Sequence, residues 1–253
     1  HELRLGDVIP QGSDAVLLRF QPDAALAEDF RFEPGQYLTL AAGPADARQW
    51  RCYSLTSAPG APLDVLVRRV RGGLVSNWLC DNAQPGDSLT VLPPAGHFTL
   101  RREGDPVLLF AGGSGIAPIF SLARHALERG APRVSIFYAN RSRASAMLVR
   151  ELAGLQARHD ERLKVQYWHD DEDGLPSAPL LAAFATARSD RDAYLCGPEP
   201  FMRTVDEALA QAGFDASRIY REEFDAAPEE PASDADGERV TQLTVQFGGN
   251  TTT

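Results

Sequence analysis

The sequence predicts two domains in series: an antiparallel β-barrel or sandwich, then an α/β domain with a parallel sheet. Short apolar runs at regular spacing, punctuated by Pro-Gly-type turns, fill the first hundred residues. From Asp105 onward, apolar strands alternate with helical stretches. A chain of 253 residues with 43% hydrophobic content is long enough to build both.

Within residues 1–102 the expected strands are Ala15–Phe20, Tyr37–Ala41, Arg51–Thr56, Leu63–Val70 and Ser88–Leu92. The turns between them carry Gly12-Ser13, Pro34-Gly35, Gly43-Pro44, Pro59-Gly60 and Pro85-Gly86-Asp87. One helix, Leu74–Cys80, interrupts the strands. Within residues 103–224, Pro106–Phe110 is a continuous apolar strand followed by glycines and a helix through Glu128. Arg133–Tyr138 is the next strand. Ala144–His159 reads as one helix with Leu148, Leu152 and Leu155 on a single face. Strand Leu163–Trp168, helix Ala178–Ala187, strand Asp192–Leu195 and helix Pro200–Ala212 complete the series.

Residues 225–238 read as an acidic linker rich in Ala, Pro, Asp and Glu. Residues 239–253 alternate and then reach Gly248-Gly249-Asn250, as at the start of a hairpin. A lone hairpin is marginal in water, so either a further domain is expected to follow or this segment is expected to join a sheet supplied from elsewhere.

Net charge is −10, and eight carboxylates between Glu222 and Glu238, with no Lys or Arg among them, supply most of it. The remainder carries only −2, which offers no basic surface for nucleic acid. The acidic run is a solvated linker or a docking patch. Cys52, Cys80 and Cys196 are far apart and match neither zinc nor iron–sulfur spacing, so no metal site is expected. Their odd number favours a reducing, cytoplasmic setting. The most apolar stretch, Val107 to Leu127, is broken by glycines and Pro118 and does not read as a transmembrane segment.

Several short motifs carry possible chemistry. Gly113-Ser114-Gly115-Ile116-Ala117-Pro118 follows a strand and opens a helix, the setting in which backbone N–H groups cradle a pyrophosphate. Pro118 suits the first helical turn. After the next strand come Asn140-Arg141-Ser142-Arg143, with no carboxylate for a ribose 2′-OH. Arg141 and Arg143 would suit a 2′-phosphate, which leans toward NADPH while leaving NADH possible. Arg51-Cys52-Tyr53-Ser54 lies on a strand, with Arg51 and Tyr53 on one face and Ser54 on the other. An Arg suits a pyrophosphate, a Tyr ring a flat heteroaromatic, and a hydroxyl a ring nitrogen. Gly72-Gly73-Leu74-Val75-Ser76 is a second glycine-to-helix entry. Cys196-Gly197-Pro198 follows a strand at its carboxyl end, where open α/β sheets bind ligands. Taken singly, each is also ordinary strand, turn or helix-start composition.

In this order the set resembles the ferredoxin–NADP⁺ reductase superfamily over Glu2 to Phe224. The resemblance implies a six-stranded antiparallel flavin barrel followed by a nucleotide-binding α/β domain. By position, Arg51 would contact the phosphates of FAD, Tyr53 would pack on the isoalloxazine, and Ser54 would hydrogen-bond near flavin N5. Gly73, Leu74, Val75 and Ser76 would hold the pyrophosphate. Gly113, Ser114, Gly115 and Pro118 would hold the nicotinamide nucleotide. Cys196 would lie beside the nicotinamide, with Gly197 and Pro198 shaping that edge, and Phe224 would lie near the flavin. Ser54 and Cys196 are thus the expected catalytic residues.

The tail is similar to the join between reductase and plant-type [2Fe-2S] ferredoxin domain in reductase components of multicomponent oxygenases, the phenylacetyl-CoA epoxidase reductase among them. The four cluster cysteines are absent, so the [2Fe-2S] centre would belong to a missing C-terminal domain. The implied function is transfer of hydride from NAD(P)H to FAD and of single electrons to an iron–sulfur centre, for an oxygenase or desaturase. A stand-alone ferredoxin or flavin reductase is the alternative. So is a flavin-binding electron-transfer subunit without NAD(P)H turnover.

Overall fold

The computed structural model describes residues 1–224. The expected acidic linker and the start of a further domain lie outside the described residues.

Six antiparallel strands form the first sheet: β1 (Glu2–Gln11), β2 (Ala15–Gln21), β3 (Tyr37–Ala42), β4 (Gln49–Ser54), β5 (Leu63–Arg68) and β6 (Ser88–Ala95), in the order β4-β3-β6-β1-β2-β5. The edge strands meet through a bridge from Leu55 to Val65, which closes the sheet into a barrel at that end. Helix α1 (Leu74–Asn82) packs against β3, β4 and β5. Leu18, Phe20, Leu38, Leu40, Val65 and Leu79 fill the interior. Strand β1 went unread because its alternation breaks: Leu3 and Leu5 point inward, then the register shifts between Leu5 and Asp7, at Gly6.

The second sheet is parallel, ordered β11-β10-β7-β8-β9. Its strands are β7 (Val107–Gly112), β8 (Val134–Asn140), β9 (Leu163–His169), β10 (Asp192–Cys196) and β11 (Ile219–Glu222). Both faces are apolar. Leu109, Ala111 and Tyr138 join the core beneath α2 (Ile116–Glu128) and α3 (Val149–Arg158). Leu108, Phe110 and Phe137 face α5 (Ala178–Thr186) and α6 (Glu199–Gln211), while α4 (Asp170–Asp173) is a single turn after β9. Edge strand β11 also escaped the sequence reading.

The helix expected over Ala144–His159 starts five residues late. Ser142 and Ser145 cap each other around a short 3₁₀ turn, and the Tyr138 hydroxyl both accepts from the Met147 N–H and donates to its carbonyl. Leu148 then sits in the left-handed region at φ 54°, with its N–H donated to Gln11 Oε1 at 2.9 Å. Side chains from elsewhere take these backbone groups, which outweighs local helical periodicity.

The domains share a core and polar ties. Ala15, Leu17, Leu66 and Phe98 of the barrel side belong to the same apolar cluster as α2 and α3. Ser121 Oγ donates to the Ser57 carbonyl at 2.6 Å, buried at the junction. Asp14 Oδ2 accepts from Arg68 Nε at 3.2 Å and from Arg141 Nη2 at 3.0 Å.

Candidate active site

Chain order reverses direction between β7 and β10, so the loops leaving their carboxyl ends open a crevice, the usual ligand position in such sheets. Both loops depend on glycine. A Cβ at Gly115 would run into the Cys196 carbonyl, and one at Gly197 would come within 2.9 Å of Phe201 and 3.0 Å of the Gly112 backbone. Gly113 takes φ +53°, which favours glycine. The N-terminus of α2 has no side-chain cap; its Ile116 N–H is taken by the Gly113 and Ser114 carbonyls and Pro118 has none, so the glycine turn ahead of the helix is the part that can approach a ligand. Ser114 is half-buried in this turn and Pro118 buried in the first turn of α2. Arg68, which sequence reading missed, reaches the turn from the barrel: a Cβ on Gly113 would stand 2.8 Å from its Nη1.

On the barrel side, Arg51 is exposed on β4, braced by the Trp50 carbonyl at 2.8 Å and Gln49 Oε1 at 2.7 Å. Tyr53 is half-buried against the barrel core, and burial pushes its phenol up. Register pairing sets Arg51 and Tyr53 opposite Leu40 and Leu38, so they share a face as alternation predicts. Ser54 is buried, and its Oγ has no hydrogen-bond partner among the described residues. Such an orphan is costly unless a ligand satisfies it. The N-terminus of α1 likewise lacks a side-chain cap; Gly73 is its N-cap, and space beside Gly72 is open. Leu74 is exposed, whereas the Val75 side chain lies in the barrel core, so Val75 can offer a ligand only its backbone. Ser76 Oγ accepts from the Val70 N–H at 3.2 Å and keeps its own proton free to donate. An unpartnered hydroxyl, an uncapped helix and an adjacent cation together fit a flavin dinucleotide.

At the junction, Cys196 is fully buried, and burial and the nearby Glu222 carboxylate push its thiol well up, so it is a neutral thiol. Glu222 pairs in register with Cys196 at the end of β11. Burial lifts its carboxyl to about 7. Its charge also reaches the Tyr37 phenol, and Tyr37 pairs in register with Ser54. Ser54 and Tyr37 are thus paired on the barrel side, and Glu222 and Cys196 on the α/β side. Glu222 was read as part of the acidic run; its place on an unrecognised edge strand hid its role. Phe224, just beyond, is exposed.

The two arginines after β8 already have partners. Arg143 grips Glu172 with two bonds of 2.7 and 2.8 Å, and Arg141 pairs with Asp14. Nearby Asn140 is buried at the carboxyl end of β8, with neither amide atom bonded among the described residues. No group of three or more His, Cys, Asp or Glu side chains suited to a metal occurs among the described residues. None of the described helices is long and apolar enough to cross a membrane.

Residues 3–100 match the oxidoreductase FAD-binding domain and residues 109–207 the oxidoreductase NAD-binding domain. The chain is 40% identical over 237 residues to the ferredoxin reductase component of 3-ketosteroid-9-alpha-monooxygenase from Rhodococcus rhodochrous, covering 92% of this chain and 67% of that relative. The chain belongs to the ferredoxin-reductase family. It is an FAD-dependent NAD(P)H reductase of the kind that supplies electrons to oxygenases. Among solved members of similar fold, the FAD/NAD-binding domain of nitric oxide dioxygenase from Vibrio cholerae superposes with a TM-score of 0.77 at 27% identity, covering 88% of this chain and 98% of that one. Phthalate dioxygenase reductase, described as carrying electrons from pyridine nucleotides to [2Fe-2S], gives 0.72 at 25%, covering 88% and 67%.

Proposed function

We propose that this reductase draws on NADH and delivers single electrons to a [2Fe-2S] centre, on a ferredoxin-like domain or protein, that serves an oxygenase. The observation that carries the reading is the buried, unpartnered Ser54 hydroxyl, paired in register with Tyr37 on the barrel, while Glu222 and Cys196 pair on the α/β sheet. FAD bound there supplies the conversion of a two-electron donor into one-electron deliveries. Arg51 and the uncapped end of α1 hold its pyrophosphate, Tyr53 packs on its ring system, and Ser54 donates a hydrogen bond to the ring. Gly113 to Pro118 and Arg68 hold the nicotinamide nucleotide's phosphates. Cys196, with Gly197 and Pro198, forms the wall at the nicotinamide end, and Phe224 closes the edge beyond β11. Glu222, close to half-protonated at neutral pH, holds a proton at that boundary.

The preference for NADH over the NADPH suggested by Arg141 and Arg143 rests on their partners. Glu172, in a four-carboxylate turn with Asp170, Asp171 and Asp173, occupies Arg143. A 2′-phosphate would have to displace it. NADPH is the second reading, favoured by the exposure of both arginine side chains, 69% and 71%. The ferredoxin-like acceptor is supported by the relative above, a ferredoxin reductase component, and by the likeness to phthalate dioxygenase reductase. The likeness to the phenylacetyl-CoA epoxidase reductase rests on the sequence of the tail after Phe224 alone.

The test is an anaerobic absorption spectrum of the FAD-loaded protein titrated with NADH and, separately, NADPH. Faster bleaching by NADH is expected, and Glu172→Gln should narrow the gap. Faster bleaching by NADPH, abolished in Arg141→Gln, would reverse the nucleotide assignment. No bleaching with either would end the reading.

A further inference from the structure

The amino ends of β8, β9 and β10 face away from the nucleotide crevice. There a cleft of about 220 Å³ is lined by Arg133, Arg162, Lys164, Arg188 and Arg191. Glu161 is the one carboxylate lining it among the described residues. Five cations against one carboxylate make the cleft strongly basic.

The cations differ in how they are held. Arg162 is committed to structure: Nη1 donates to the Leu127 and Ala131 carbonyls, and Nη2 meets His159. Lys164 donates to the Asp160 carbonyl and otherwise faces solvent. Arg191 is different, being only 4% exposed. Its Nη1 donates to Ser135 Oγ at 2.9 Å, and its Nε has no hydrogen-bond partner among the described residues. The nearest carboxylate, the exposed Asp190, is 3.9 Å away. Arg188 Nε donates to the same Ser135 Oγ at 3.1 Å, while its guanidinium lies over the Phe184 ring and bonds the Phe184 carbonyl.

Two guanidiniums therefore converge on one neutral hydroxyl. Burial depresses both from the ordinary arginine value, and Arg188 and Arg133 repel Arg191 further, offset in part by Asp190. Buried charges are normally paired, and an unpaired guanidinium N–H is an outstanding donor. A compact anion in the cleft would turn this repulsion into charge-assisted hydrogen bonds. We propose that the cleft is a binding site for a compact polyvalent oxyanion, inorganic phosphate or the phosphate head of a small monoester. It lies at the end of the sheet opposite the nucleotide crevice, so it is separate from the redox site.

The experiment is thermal unfolding and calorimetric titration of the FAD-loaded protein with inorganic phosphate, against sodium chloride at equal ionic strength, with glycerol 3-phosphate in a parallel arm. Phosphate at roughly ten times its Kd should raise the midpoint by about 3–6 °C. A matching rise with glycerol 3-phosphate would extend the site to monoesters, and phosphate alone would confine it to the free ion. Arg191→Gln should abolish the rise and, having lost a repelled charge, be at least as stable as the parent without phosphate. Lys164→Gln, at the solvent side, should keep the fold and weaken phosphate binding. Arg141→Gln, at the other end of the domain, should retain the full rise. A rise no larger than that from chloride, or one kept in both Arg191→Gln and Lys164→Gln, or one lost in Arg141→Gln, would overturn the proposal.

Discussion

Replacing Glu222 with Gln tests the electrostatics of the domain boundary. Burial lifts this carboxyl from its ordinary 4.5 to about 7. At 1.36 kcal/mol per pH unit, a fully desolvated group so displaced would cost about 3.4 kcal/mol to ionise in the folded state. Glu222 is only partly covered, and solvent screening reduces the figure to on the order of 1–2 kcal/mol. Because the folded value is the higher one, the folded chain holds more protons than the unfolded chain between 4.5 and about 7. Stability therefore falls as pH rises through that window and levels off above it. Glu222→Gln removes the penalty. The two proteins should unfold at nearly the same temperature near pH 4, and the variant should gain roughly 2–6 °C near pH 8. The assay is the thermal midpoint of the FAD-loaded protein across this range. A variant with the parent's pH slope, or one less stable at the alkaline end, would refute the reasoning.

Three further substitutions probe the site. Ser54→Ala removes a buried hydroxyl that lacks a partner, so the flavin-free protein should lose no stability, while anaerobic flavin reduction should slow about tenfold for one lost hydrogen bond; an unchanged rate at saturating FAD counts against the assignment. Gly115→Ala drives a Cβ into the Cys196 carbonyl and should destabilise the α/β domain by about 1–3 kcal/mol and raise the KM for nicotinamide nucleotide, leaving the bound-flavin spectrum intact. A variant with normal KM would show that the loop has room to relax. Asp14→Asn strips the carboxylate shared by Arg68 and Arg141 and should lower the unfolding midpoint, more so at low salt, with a cost on the order of 1–3 kcal/mol; no change at low salt would remove this ion pair from the forces joining the domains.

Patterns written in consecutive residues were readable from the sequence. Gly113 to Pro118 and Cys196 to Pro198 are legible as glycine turns that link a strand to a helix, and their joint order, not either one alone, points to a nucleotide. The alternation of apolar strands and helices after Asp105 likewise exposes a sheet buried on both faces. Gly115 and Gly197 show the limit of that reading. Spacing marks them, but only the packed loops reveal that Gly115 faces the Cys196 backbone and Gly197 the Gly112 backbone, with no room for a Cβ at either.

Tertiary structure decided whatever depends on groups distant along the chain. Strand β1 is hidden by a bulge that reverses which residues point inward. The start of α3 is set by Gln11 and Tyr138, which take backbone groups a helix would have used. Arg68 gains its place at the nucleotide turn, and Glu222 its raised proton affinity, only when the barrel and the α/β sheet share a boundary. Arg141 and Arg143 read as free cations in sequence, yet folding supplies each with a carboxylate, and with it the case for NADH. Local pattern therefore specifies the elements and the glycine turns that join them. Desolvation and charge pairing, which act through space, assign the remaining residues their chemistry.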